Sequence, residues 1–368
     1  MSAAEPETTP LDAAAGLLAL TRQIVDIESV SGNEKRLADA VEATLRTAPH
    51  LDVVRDGDTV IARTHLGHES RVLLAGHLDT VPVADNLPST LRERDGVQEL
   101  VGRGTCDMKG GVAVLLSLAL ALDEPRHDLT WIFYDHEEVA SELNSLTRIA
   151  REKPEYLAAD FAILGEPTSA GIEGGCKGTM RLDVRASGVA AHSARAWVGK
   201  NAVHGLADAL TRLAVYEPRT AVIDGLEFRE CLNAVAIGGG IAGNVIPDAA
   251  HMSVNYRFAP DTSAAEAEAH VRDVFDGLDL DIRVTDVAEG ALPGLHSAPA
   301  RDLLSVLGDT VTVSAKQGWT DVARFSALGT PAVNFGPGDP LLAHTDDEHI
   351  PVSDLDTCYD ALERFLSA

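Results

Sequence analysis

The sequence predicts an α/β fold: a mixed, mostly parallel sheet flanked by helices, with a smaller βαββαβ domain of ferredoxin-like order inserted into it. Three observations predict this. Strand and helix patterns alternate over residues 1–178 and return over 292–368, as they do when helices cross between parallel strands. Between 179 and 291 the order becomes strand, helix, strand, strand, helix, strand, the split unit of a separate domain. The chain also has 368 residues, more than one core usually serves, since single cores stop growing at about 250 to 300 residues.

The elements follow in order. Residues 11–28 carry apolar side chains at helical spacing, and Ser31-Gly-Asn-Glu34 has the form of a capping box, which predicts a second helix reaching Thr47. "VVRDGDTVIART" reads as a hairpin turning at Asp56-Gly57, "RVLLAGHLD" as a strand, 109–122 as a helix, "LTWIFYD" as a strand, 142–151 as a helix and "DFAILGE" as a strand. In the inserted domain, "TMRLDVRAS", "RECLNAVAIGG", 248–258 and 280–286 read as strands, with helices at 201–214 and 264–276. Within "HMSVNYRF" the apolar Met252, Val254, Tyr256 and Phe258 alternate with Ser253, Asn255 and Arg257, so one face is core and the other polar. A helix at 299–307, the strand "PAVNFG" and a helix at 353–367 close the α/β part.

Composition narrows the function classes. With 45% hydrophobic and 24% charged residues the chain is globular, and its net charge of -27 disfavours nucleic acid and anionic membrane surfaces as partners. The four cysteines form no CxxC pair and suit reduced thiols in a cytoplasm. The start, MSAAEPETTP, is acidic where a secretory signal is basic. The longest apolar run, 112–122, is too short to span a bilayer and suits a buried helix.

Chemistry-bearing residues gather at strand ends. His77 and Asp79 follow one predicted strand, Asp135-His136-Glu137-Glu138 another and Glu166 a third, while His344 comes after "PAVNFG". Asp107 stands in "GRGTCDMKGG", just before the buried helix. Open α/β sheets bind ligands beyond the carboxyl ends of their strands, so these groups can converge although far apart in the chain. A single Glu or His in such a place is ordinarily just a solvated or satisfied polar group; the joint pattern is what points to metal. Two histidines and several carboxylates suit Zn, Mn or Co, and adjacent Glu137 and Glu138 would repel each other in a dry site without a cation. Other motifs fail. "HEEVA" lacks the second histidine of HExxH, "GRGTCDMKGG" is not a phosphate loop, no GxSxG occurs, and Pro247 stands where a helix should start after Gly238, Gly240 and Gly243.

The motifs "GHLDTVP", "GRGTCDMKGG", "DHEEV", "LGEPT", "GVAAHSA", "NVIP" and "HTDDE" resemble, along nearly the whole chain, those of the co-catalytic zinc family of acetylornithine deacetylases, aminoacylases, glutamate carboxypeptidases and succinyl-diaminopimelate desuccinylases. The resemblance implies two zinc ions, with cobalt or manganese as substitutes. His77 and Glu166 become terminal ligands of one ion, Glu138 and His344 of the other, and Asp107 bridges them. It also implies that Asp79 orients His77 and that Glu137 takes a proton from the attacking water and passes it to the leaving amine. His192 becomes an oxyanion donor, usually reaching over from a partner subunit. The inserted domain, 179–291, is then a lid and the contact of a homodimer, and 1–178 with 292–368 form the catalytic domain.

Lys177, Thr179, Asn244, Arg257, Thr320 and Arg324 match family positions that hold the carboxylates of a small anionic substrate. "LGEPT", "KGTMRLDV" and "GWTDVARF" are most similar to members acting on N-succinyl-LL-2,6-diaminopimelate, with N-acetylornithine, other acyl amino acids or peptides as alternatives. Lys177, His136 and Trp319 depart from the more familiar desuccinylase pattern.

Overall fold

A computed structural model describes residues 9–308 and 311–367. The acidic segment MSAAEPET, in which no export signal was read, lies outside the described residues. The chain divides into two compact units: Met1–Gly174 with Gly294–Ser314 and Arg324–Ala368, and Gly175–Pro293 with Ala315–Ala323.

The first unit is built on a mixed eight-stranded sheet. Its centre is parallel: Arg71–His77 lies between Asp128–Tyr134 and Phe161–Leu164, and Ala332–Asn334 pairs with the latter. Antiparallel strands finish both sides, among them the hairpin Asp52–Asp56 and Thr59–Arg63. Leu73, Leu74 and Ala75, like Leu129, Trp131 and Ile132, are buried without alternation, as expected of strands covered on both faces. The apolar run forms the helix Gly110–Ala121, and the last helix is Val352–Leu366. Gly111 sets how closely the first of these approaches the sheet, because a Cβ there would lie 2.0 Å from the carbonyl oxygen of Gly165.

The helix expected from Ser31 begins later, at Lys35, with Glu34 at its cap and no side-chain cap bond. The capping box does not form because Ser31 Oγ donates to Asp79 Oδ2 at 2.6 Å, while Glu34 Oε1 accepts from Gly32 N at 2.8 Å. A three-stranded sheet, Thr90–Arg94, Val97–Val101 and His349–Pro351, was not anticipated from the sequence.

The second unit carries a four-stranded antiparallel sheet in the order Cys231–Gly239, Ala249–Phe258, Gly178–Ser187, Asp281–Ala288. Helices Ala202–Gly205, Ala207–Ala214 and Ala264–Val274 supply the crossovers. Met252, Val254, Tyr256 and Phe258 join Leu182, Val184, Leu206 and Val271 in its core. Segment 315–323, expected in the α/β part, belongs here instead. Gly318 O accepts from Lys177 N at 3.2 Å, Gln317 Nε2 donates to Glu227 O at 2.7 Å, and Trp319 Nε1 donates to Glu289 O at 3.1 Å.

Candidate metal centre

The parallel strands deliver the expected ligands at their carboxyl ends. His77 is the last residue of its strand. The neighbouring strand ends at Tyr134 and runs on into Asp135–Glu138. On the other side Ala75 pairs with Leu164, and Gly165 N donates to Ala75 O at 3.0 Å. Glu166 comes two residues after that last pair and is buried, and the cluster of ligand atoms formed by His77, Asp107 and Glu138 does not include it. His344 follows the strand Ala332–Asn334 and adopts φ 64°. Asp107 sits in the turn before the buried helix, and its peptide bond to Met108 is cis.

Side chains then close on one another. His77 Nδ1 lies 3.0 Å from the carbonyl oxygen of Asp79. A carbonyl can only accept, so Nδ1 carries the proton and Nε2 faces Asp107 Oδ1, 3.0 Å away. His344 Nε2 is 3.4 Å from Asp107 Oδ2 and 2.9 Å from Glu138 Oε1. Each oxygen of Asp107 therefore faces a different imidazole. Ligand atoms of His77, Asp107 and Glu138 lie within 4.8 Å of one another. A divalent cation fits this set on its chemistry, imidazole nitrogen with carboxylate oxygen, and on the two-sided presentation of Asp107.

Electrostatics describe the same cluster. Burial alone would lower the His77 imidazole, but the bond to Asp107 and the charges of Asp79, Asp107 and Glu137 push it well above its usual value. His344 rises to about 10 through its bonds to Asp107 and Glu138. Burial would raise the Asp107 carboxyl; the two histidines instead hold it far below the carboxylate range. Each of these shifts has the same cause, the close approach of carboxylates and imidazoles within one cluster.

Asp79 acts through atoms the sequence did not indicate. Its carbonyl, rather than its carboxylate, meets His77; Oδ1 stays 3.6 Å from Nδ1. The carboxylate accepts from Glu137 N and Glu138 N, each at 3.0 Å, and from Ser31 Oγ. The two adjacent glutamates are thus fixed by one buried acid. His136, at φ 62°, turns its ring away to Asp135 Oδ2 at 2.7 Å.

Sequence reasoning missed the supports of this cluster. Fully buried Lys109 donates to Ile27 O at 2.7 Å, and buried Glu348 accepts from Asp107 N at 3.1 Å. The available signal was only the position of each: Lys109 directly before the apolar helical run, and Glu348 four residues after His344.

The remaining expected residues lie as follows. Arg324, in the first unit, donates to Ser141 Oγ at 3.0 Å and to Thr147 Oγ1, in the segment after Glu138. The others belong to the second unit. Thr179 and Arg257 are register partners on the polar face of the sheet, where Arg257 Nε donates to Asn255 Oδ1 at 3.2 Å. Burial, then the charge of Arg181, lowers the Arg257 guanidinium from its ordinary value. Lys177 is buried and donates to Arg229 O at 2.6 Å. Thr320 is buried, its carbonyl 3.7 Å from Cys176 Sγ. Asn244 O accepts from Ser193 N at 2.9 Å, beside exposed His192. Ala194 N donates to His192 Nδ1 at 3.0 Å, so a neutral His192 keeps its proton on Nε2.

Comparison with known proteins gives consistent relatives. Residues 73–368 match peptidase family M20/M25/M40. A Mycobacterium tuberculosis protein provisionally named succinyl-diaminopimelate desuccinylase DapE is 56% identical over 97% of this chain and 99% of its own. The succinyl-diaminopimelate desuccinylase of Corynebacterium glutamicum is 48% identical over 97% and 98%. The solved structure of Bacillus subtilis YXEP, a dinuclear metal binding peptidase from the M20 family, superposes with a TM-score of 0.69 at 15% identity, covering 95% of this chain and 96% of that one.

Proposed function

The chain belongs to peptidase family M20/M25/M40, and from that premise we propose that it is a metal-dependent amidohydrolase cleaving N-succinyl-LL-2,6-diaminopimelate to succinate and LL-2,6-diaminopimelate. The observation that carries the substrate is 48% identity to the Corynebacterium glutamicum desuccinylase along nearly both full lengths. The reaction class rests on the convergence of His77, Asp107, Glu138 and His344.

In this reading His77 and Glu166 would hold one ion, Glu138 and His344 the other, and Asp107 would be shared between them. When bound, two divalent cations, zinc with cobalt or manganese as substitutes, would supply Lewis-acid polarisation of the amide carbonyl and a more acidic water. Glu137 takes the proton of the attacking water on its carboxylate and delivers it to the leaving amine nitrogen as the C–N bond breaks. Its backbone N–H is held by the same Asp79 carboxylate that holds the N–H of Glu138, which keeps the base next to that ligand. His192 donates from Nε2–H to the oxyanion of the tetrahedral intermediate, and the N–H of Ala194 fixes the tautomer this requires. Lys177, Thr179, Asn244, Arg257, Thr320 and Arg324 receive the substrate's carboxylates.

The reading includes a cytoplasmic homodimer joined through the second unit. Its support is the terminal strand Cys231–Gly239, which exposes Val235 and Ile237 at 64% and 56% beside an unpaired sheet edge. No described helix is long and apolar enough to cross a membrane.

The test is release of succinate from N-succinyl-LL-2,6-diaminopimelate by zinc-loaded protein, followed beside N-acetylornithine and a dipeptide. Succinate release with at least a hundredfold preference in kcat/KM is the outcome expected. Turnover of N-acetylornithine or the dipeptide alone reassigns the substrate.

A further inference from the structure

We infer that the buried ion pair Arg103–Glu348 is a positioning device that sets the spacing of the metal ligands, acting on three ligand-bearing segments at once. The inference rests on the dinuclear reading above and extends it to two residues that touch neither ion nor substrate.

Both side chains are almost wholly buried, 4% and 1% exposed, with Arg103 Nη1 donating to Glu348 Oε2 at 2.7 Å. The other carboxylate oxygen, Oε1, accepts from Cys106 N and Asp107 N, each at 3.1 Å. Glu348 thus grips the backbone of the residue that presents one oxygen to each histidine. Arg103 Nε donates to Pro82 O at 3.0 Å, in the segment that continues from His77 and Asp79. Nη1 also donates to Thr345 O at 3.2 Å, the residue after His344. One pair therefore ties the His77–Asp79 segment, the Asp107 turn and the His344 loop. Gly102 N donates to Glu348 O at 3.0 Å, which closes the loop from the main chain.

A buried pair of this kind is weak evidence for stability, because well-packed apolar residues often serve as well. Here these side-chain bonds, apart from the pair itself, all end on the main chain of a ligand-bearing segment, which a stability role does not require. Outer residues that orient metal ligands commonly change affinity ten- to a hundredfold. The carboxylate suits one part, with two parallel N–H donors on a single oxygen. The guanidinium suits the other, because its fork reaches two carbonyls and a carboxylate at fixed angles.

The test uses full-length protein stripped by chelator, in wild-type, Glu348→Gln and Arg103→Lys forms. Lysine keeps the charge beside Glu348 but lacks the fork that reaches both Pro82 and Thr345, and it is the milder change should Glu348→Gln fail to fold. Zinc titration, the visible spectrum of the cobalt-loaded protein and the rise in Tm on adding zinc are measured for each.

The expected result is a ten- to a hundredfold loss of affinity for at least one ion, an altered cobalt spectrum and a smaller zinc-induced rise in Tm. A lower Tm of the metal-free variant with wild-type affinity, spectrum and zinc-induced rise overturns the inference and leaves the pair as a structural bond. If the wild-type protein itself takes up no ions, the dinuclear reading fails, and the inference with it.

Discussion

At the scale of single residues, the main distinction lies between two neighbouring glutamates. Glu138 Oε1 meets His344, whereas Glu137 joins the cluster through its backbone bond to Asp79 and its charge near His77. Replacing Glu137 by Gln keeps size and removes the proton acceptor, so turnover should fall by about 10² to 10⁴ while metal content stays that of the wild type. Succinate release and metal analysis on one preparation check this; activity within tenfold of wild type would remove Glu137 as the base. Legibility divides at the same residues. His77, Asp107, Glu138 and His344 could be picked out of the chain as one group by residue type and by their places after strands or before the buried helix, and their side chains do meet. Ser31 could not, because SxxE also describes a helix cap, and only the tertiary contact with Asp79 decides between the two.

Among elements, the helix Gly110–Ala121 shows how far the apolar pattern carries the fold. An apolar run all round means burial, and its limits were readable to a residue or so. Its distance from the sheet was not, since Gly111 matters only through the carbonyl of Gly165. Gly111→Ala should cost at least about 1 to 3 kcal/mol by overpacking and also weaken metal binding, because the Gly165 carbonyl lies one residue before Glu166. Urea denaturation with zinc titration checks both effects together.

The short strands Thr90–Arg94 and Val97–Val101 escaped notice for a different reason. They are mostly exposed, and their charged side chains give no core-facing alternation. A second element-scale anchor, Asp128, starts the strand Asp128–Tyr134 and accepts from Leu66 N, Gly67 N and His68 N. Burial would raise its carboxyl, but the bonds from this loop and the charge of Arg71 hold it below its ordinary value. Because the native value is depressed, the stabilisation is complete above the unfolded value of about 3.9 and disappears as pH falls through the lower native one. Asp128→Asn should therefore lose about 1 to 3 kcal/mol near neutrality, and the gap between variant and wild type should close below that pH in denaturation curves. An unchanged gap at low pH would mean that the charge of Asp128 is not what holds the loop.

For the whole molecule, the proposed role of His192 can be tested together with the proposed dimer. It stands exposed in the second unit, and among the described residues its ring is held by the bond from Ala194 N to Nδ1, with no carboxylate bonded to Nε2. The edge strand Cys231–Gly239 of the same unit, with exposed Val235 and Ile237, is the surface the proposed dimer would use. If the partner subunit supplies the donor, each active site combines Glu137 of one chain with His192 of the other. His192→Ala and Glu137→Gln homodimers should then both be nearly inactive. Unfolding and refolding an equal mixture, or co-expressing the two chains, should restore about a quarter of wild-type activity, since half the dimers are mixed and each mixed dimer has one intact site. Donation within one chain gives no recovery in the same experiment, because each chain then carries one defect of its own site. Sedimentation of the mixture shows whether dimers formed, which separates an inactive mixed dimer from a protein that does not associate.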